Sequence, residues 1–89
     1  MLDIKKLQYL EAVYRHRSFT RASEELFVSQ SAISMSIKSL EEELGVRLVE
    51  RDNRFIALTK AGETLREEAE QLLSAADTAA ARVRAAAKE

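Results

Sequence analysis

The stretch from Thr20 to Leu44, TRASEELFVSQSAISMSIKSLEEEL, constrains this chain more than any other. It reads as a short helix, a three-residue turn and a longer helix. Ala22 and Leu26 share one face of the first helix at i, i+4. The turn Phe27-Val28-Ser29 ends in a hydroxyl suited to the next helix's first amides, which makes Ser29 the expected N-cap. Beyond it Ile33, Ile37, Leu40 and Leu44 recur at spacings of four, three and four, an apolar stripe facing a core. Gln30, Ser31, Ser34, Met35 and Lys38 form a second stripe, its centre roughly 120° from the first at about 100° per residue, and so turned outward. Such a short, polar, lightly charged face suits a DNA major groove, where hydroxyls and amides reach base edges and acidic groups would be repelled by phosphates. Two amphipathic helices in any small bundle would satisfy the same pattern.

Composition narrows the alternatives. Eighty-nine residues, 46% hydrophobic and 33% charged, allow one small domain with a core but not two, so a catalytic cleft between domains is not expected. The formal net charge is -1, which leaves nucleic-acid binding to the local placement of Lys and Arg. There is no cysteine and one histidine, which excludes disulfides, thiolate metal sites and His-rich metal sites; no metal or cofactor is expected. The N-terminus lacks an apolar run of signal-peptide length, and no window approaches a membrane-spanning helix, so the expectation is a soluble cytoplasmic protein without membrane contact. With no proline and two glycines there is neither a flexible linker nor a Gly-rich phosphate loop. Helix should dominate.

From the start of the chain, Asp3 should cap a first helix running to about Arg15, with Leu2 stapled onto Leu7. Ile4, Leu7, Leu10, Val13 and Tyr14 give that helix a buried side. Arg15-His16-Arg17 places cations at its end, where His16 reads as a solvated residue. Ser18 or Thr20 caps the second helix, and Phe19 should pack under the turn. The recognition-like helix, about 30–44, stops at Gly45, suited to the left-handed position past a helix end, with Val46 folding back on Leu40. Glu41-Glu42-Glu43 lie where the helix dipole disfavours anions, gain nothing locally, and should point away from DNA. Residues 47–58 read as two short strands, Leu48-Val49 and Ile56-Ala57-Leu58, around the turn Asp52-Asn53-Arg54. This is a wing with Arg51 and Arg54 at its tip, and such a hairpin reaches phosphates or a minor groove.

Thr59 can cap a last helix that has no breaker after Gly62 and spans roughly 45 Å at 1.5 Å per residue. Its Leu65, Ala69, Leu72, Ala76, Ala79, Val83 and Ala86 alternate in steps of four and three, the a/d seam of a coiled coil. Alone, the helix would leave that seam wet. A partner helix is expected, most simply from a second copy of the chain. A fraying Ala-rich helix, or one that packs on a domain outside this chain, stays open.

The pattern resembles the N-terminal DNA-binding domain of LysR-type transcriptional regulators. The residues that carry the resemblance are Leu7 and Leu10, Ser18-Phe19-Thr20, Ala22, Leu26, Val28-Ser29-Gln30, Ala32-Ile33-Ser34, Ile37, Leu40-Glu41 and Leu44-Gly45. Leu48, Arg51, Arg54, Leu58-Thr59 and Ala61-Gly62 extend it through the wing into the last helix. The resemblance implies a mainly α fold: a winged helix-turn-helix (1–58) with a small two-stranded wing, followed by a long linker helix (59–89) that pairs with a second copy. It further implies a small-molecule effector acting only through a C-terminal domain absent here, and leaves a tetramer open for a full-length protein. It places Gln30, Ser31, Ser34 and Met35 at bases or the adjacent backbone, Lys38 at a phosphate and Arg54 in the minor groove. With Ser29, Arg51 and Asn53 these form the expected set of contacts to a duplex bearing an interrupted inverted repeat. The chain departs from the family's usual residues at Ser31, where proline is frequent, and at Met35, Ser36 and Val49.

Three function classes compete. The first is a dimeric, sequence-specific DNA-binding domain of a transcription regulator. The second is a helical protein-interaction module acting through its coiled coil. An enzyme is third, because without cysteine, and with Ser29, Ser34 and Ser36 explained by capping or groove contact, no nucleophile has an oriented base.

Overall fold

Each helix begins where a short polar side chain takes up its first amides. In the computed structural model, α1 (Ile4–His16) starts at Asp3, whose Oδ1 accepts from the Lys5 and Lys6 amides at 2.8 and 3.4 Å. Ser18 Oγ accepts from the Arg21 amide at 3.1 Å and opens α2 (Phe19–Leu26); Ser29 Oγ accepts from the Ala32 amide at 3.0 Å and opens α3 (Gln30–Leu44). Strands β1 (Val49–Arg51) and β2 (Ile56–Leu58) follow, and Thr59, accepting from the Gly62 amide at 2.9 Å, opens α4 (Lys60–Ala86). Each such cap contributes about 1 kcal/mol. The structure describes residues 1–51 and 56–88, Arg51 by its backbone alone; the expected turn Asp52-Asn53-Arg54 lies outside the described residues.

The first three helices end in the left-handed region, at Arg17 (φ 53), Phe27 (φ 57) and Gly45 (φ 71). Glycine takes that conformation at no steric cost, whereas Arg17 and Phe27 carry a penalty of about 1–2 kcal/mol each. At the end of α3 the Gly45 and Val46 amides both donate to the Glu41 carbonyl, at 2.8 and 3.2 Å, which closes the helix and reverses the chain.

Helix α1 is the central element. Its Leu7, Leu10 and Val13 are fully buried with Ile33, Ile37 and Leu40 of α3, Ala22 of α2, and Leu65 and Ala69 of α4 in one core. Burying a side chain of this size is worth about 1.5–3 kcal/mol. The strands pair antiparallel, Val49 with Leu58, Glu50 with Ala57 and Arg51 with Ile56. The first strand therefore starts one residue later than its expected Leu48, which is buried just ahead of it.

Two expected core residues are not in the core: Ile4 and Leu44 are each 42% exposed. Both are terminal helix residues, one ahead of the layer set by Leu7 and the other past the layer that ends at Leu40. Leu65 and Ala69, by contrast, are buried within the chain, because the first turns of α4 pack on α1. That packing brings the Tyr14 hydroxyl to the Gly62 carbonyl as a buried hydrogen bond of 2.9 Å. Burial pushes the phenol's pKa well above its ordinary value, so it stays a donor. Gly62 is required by contact: a Cβ there would lie 2.0 Å from the Leu48 carbonyl oxygen. Leu73 still packs against the core; beyond it α4 leaves the body and gives the molecule its longest dimension of 54 Å.

Candidate nucleic-acid interface

The period of α3 separates two faces. Ile33, Ile37 and Leu40 are at most 2% exposed, while Gln30, Ser31 and Lys38 are exposed, Ser34 is half-buried and Met35 is 71% exposed. The outward stripe expected from the sequence is thus presented together on one helix. Ser29 sits at its head with its hydroxyl already engaged as the cap. Phe19, half-buried against the core, forms the wall of a shallow depression with Gln30, Ser31 and Ser34. From Gln30 to Lys38 this surface offers amide, hydroxyl, thioether and ammonium groups and no carboxylate, which suits base edges flanked by phosphates; the exposed Glu42 follows one turn later.

An ion cluster fixes α2 against α1. Arg15 reaches both Glu11 and Glu25 through pairs of hydrogen bonds, and His16 Nε2 lies 2.8 Å from Glu25 Oε1. The hydrogen bonds from Arg15, then from His16, hold the Glu25 carboxyl at about 2 against an ordinary 4.5. His16 is therefore a partner of Glu25 and not the solvated end residue expected, because α2 folds back across the end of α1.

Glu41 also departs from expectation. Its Oε2 accepts from the Leu48 amide at 2.7 Å and the Val49 amide at 3.4 Å, and lies 3.7 Å from Arg47 Nε. Glu43 pairs with the N-terminal amine at 3.0 Å. Both acids thus have local partners that a helix-by-helix reading could not supply, since the partners lie across chain reversals. Between α3 and β1 runs an open groove of about 620 Å³, lined by Ser34, Lys38, Glu41, Val46, Arg47 and Val49 among others.

The base of the wing is fastened on several sides. Thr59 donates its amide to the Leu48 carbonyl at 3.1 Å and its hydroxyl to the Arg47 carbonyl at 2.6 Å; Arg17 reaches the Ile56 carbonyl at 3.3 Å. Arg51 is placed by its backbone in β1, and Asn53 and Arg54 lie outside the described residues. Phe27, read only as a turn residue, is 93% exposed ahead of α3. Its backbone is left-handed (φ 57), a conformation in which glycine or asparagine is favoured.

On α4, Leu72 is 40% and Val83 70% exposed, and Ala76 and Ala79 are exposed with them. Leu65 and Ala69, expected in the same seam, are covered by the chain's own core. Among the described residues, no helix is long and apolar enough to cross a membrane, and no group of three or more His, Asp or Glu could hold a metal ion.

Residues 4–63 match the family described as bacterial regulatory helix-turn-helix protein, lysR family. The HTH-type transcriptional regulator BudR of Klebsiella aerogenes is 41% identical over 87 residues, 98% of this chain and 61% of BudR. The glycine cleavage system transcriptional activator of Escherichia coli (strain K12) is 51% identical over 61 residues, 68% of this chain and 20% of that protein. The chain thus spans a fifth to about three-fifths of the length of these curated relatives. Among solved structures, a crystal structure of a CbnR DBD–DNA complex superposes with a TM-score of 0.92 at 38% identity, covering 97% of this chain and 99% of that one.

Proposed function

The chain belongs to the lysR family of bacterial regulatory helix-turn-helix proteins, and from that premise we propose that it binds duplex DNA sequence-specifically as the dimeric DNA-binding part of a transcription regulator. The observation that carries this reading is the outward face of α3 from Gln30 to Lys38, which holds no acidic residue and is backed by the buried Ile33, Ile37 and Leu40. In this reading α3 enters the major groove: Gln30, Ser31, Ser34 and Met35 meet base edges or adjacent backbone, the Ser29 turn approaches the strand, and Lys38 meets a phosphate. The wing, with Arg51, Asn53 and Arg54, follows the flanking minor groove, where arginine reads width and phosphate charge more than base identity.

Two copies pair through the exposed stripe of α4, Leu72, Ala76, Ala79 and Val83. Leu65 and Ala69 brace that helix on its own domain. Two-fold symmetry then calls for an interrupted inverted repeat in the duplex. Any small-molecule effector, and any tetramer, would act through sequence outside these residues. Action on DNA in a bacterial cell puts the protein in the cytoplasm.

Selection of bound sequences from a random duplex pool tests binding, symmetry and half-site spacing together. The expected result is an interrupted palindrome whose affinity falls with salt at a slope of about -0.9 per phosphate contact. A flat salt response with intact self-association would instead indicate a helical protein-interaction module.

A further inference from the structure

We propose that Glu41 is a positioning residue whose carboxylate fixes the wing against α3, so that the recognition helix and the wing meet DNA as one rigid surface. The inference rests on the DNA-binding reading above. Glu41 engages each residue from 45 to 49 in succession. Its carbonyl receives the Gly45 and Val46 amides, its carboxylate lies beside Arg47, and Oε2 receives the Leu48 and Val49 amides. The side chain is 17% exposed, and the 2.7 Å bond to Leu48 has the length of a charge-assisted contact. The other side of Leu48 is held as well, through its carbonyl, by the Thr59 amide and by the close approach of Gly62. The start of β1 is therefore clamped between α3 and α4.

This arrangement answers why an anion stands on the helix that reads the groove. A carboxylate facing phosphates would weaken binding; turned onto two amides and an arginine, it is neutralised and ties the strand down. Among the described residues it is Glu41 that accepts from the Leu48 and Val49 amides, while Glu43 pairs with the N-terminal amine.

Two measurements on the intact chain test it. The first is binding to two duplexes carrying the selected site, one extending under the wing and one trimmed to end beneath α3. Glu41→Ala should lose about tenfold on the long duplex, the equivalent of one charge-assisted hydrogen bond, and nothing on the trimmed one. Glu41→Gln, which keeps a neutral acceptor, should recover part of that loss. The second is amide exchange in the free protein: in Glu41→Ala the Leu48 and Val49 amides should exchange faster while Ile37 and Leu40 keep their protection. Equal weakening on both duplexes, or unchanged exchange at Leu48 and Val49, overturns the proposal. Wild-type protein that binds neither duplex overturns the DNA-binding reading itself, a result distinct from both.

Discussion

Gly62→Ala separates local helix preference from tertiary contact. By propensity alone, alanine in a helix is better than glycine by about 1 kcal/mol. Here the new Cβ would stand 2.0 Å from the Leu48 carbonyl oxygen and 3.0 Å from its carbon, so either that peptide or the start of α4 must move by more than 1 Å. Both sides of the contact carry hydrogen bonds, Thr59 amide to Leu48 carbonyl at 3.1 Å and Tyr14 hydroxyl to Gly62 carbonyl at 2.9 Å. Losing both costs about 1 kcal/mol each. Overpacking adds about 1–3 kcal/mol, and after the propensity gain the net destabilisation is about 2–4 kcal/mol. For a domain of this size that lowers Tm by roughly 10–25 °C. Thermal and urea denaturation read it, with Tyr14→Phe as the control that removes one hydrogen bond without the clash. A Gly62→Ala chain as stable as wild type would refute the reasoning, since propensity would then outweigh a contact that backbone geometry forbids.

Glu25→Gln should remove a pH-dependent part of stability: the carboxyl is held at about 2, so its contribution is full above pH 4.5 and fades as pH falls towards 2. Urea unfolding from pH 6 to 2 checks this, and a wild-type minus variant difference that stays constant with pH would count against it. Ala79→Glu should weaken self-association by setting like charges in the exposed stripe of α4; sedimentation showing a monomeric wild type at high concentration removes the idea. Met35→Arg should shift the selected base beneath it from T·A towards G by roughly 1–3 kcal/mol, since a thioether packs on a thymine methyl whereas arginine bonds guanine bidentately. An unchanged selected motif means the side chain does not read the groove. Phe27→Gly should raise stability by about 0.5–1 kcal/mol by relieving the left-handed conformation of an almost fully exposed side chain; a fall in Tm would show that Phe27 has a folding partner.

What was legible in the sequence is what local chemistry decides. Asp3, Ser18, Ser29 and Thr59 cap their helices because a cap bonds amides two or three residues away. The faces of α3 follow from its period, and Gly45 from the left-handed requirement of a chain reversal. What escaped depends on groups distant in sequence. Tyr14 and Gly62 stand 48 positions apart, and nothing in either neighbourhood announces their hydrogen bond. Glu41 looked idle because its helix offers it nothing, while its partners lie seven and eight residues on, past the reversal. His16 meets Glu25 for the same reason. Leu65 and Ala69 fit the coiled-coil spacing as well as Leu72 does, and periodicity cannot say which neighbour claims a residue.

Helix α4 serves two surfaces on one continuous rod, and this ties them in angular phase. Leu65 and Ala69 fasten it to α1, while the stripe from Leu72 to Val83 begins one turn later with no glycine or proline between to absorb rotation. One residue inserted after Leu73 would leave the core contacts of Leu65, Ala69 and Leu73 in place, yet would turn the stripe from Ala76 onward by about 100° relative to the winged domain. Four inserted residues leave an error of about 40° and seven about 20°. Tolerance to length change in this rod is therefore a periodic function of the number of residues, and two chains of similar sequence but different rod length present their winged domains at different azimuths.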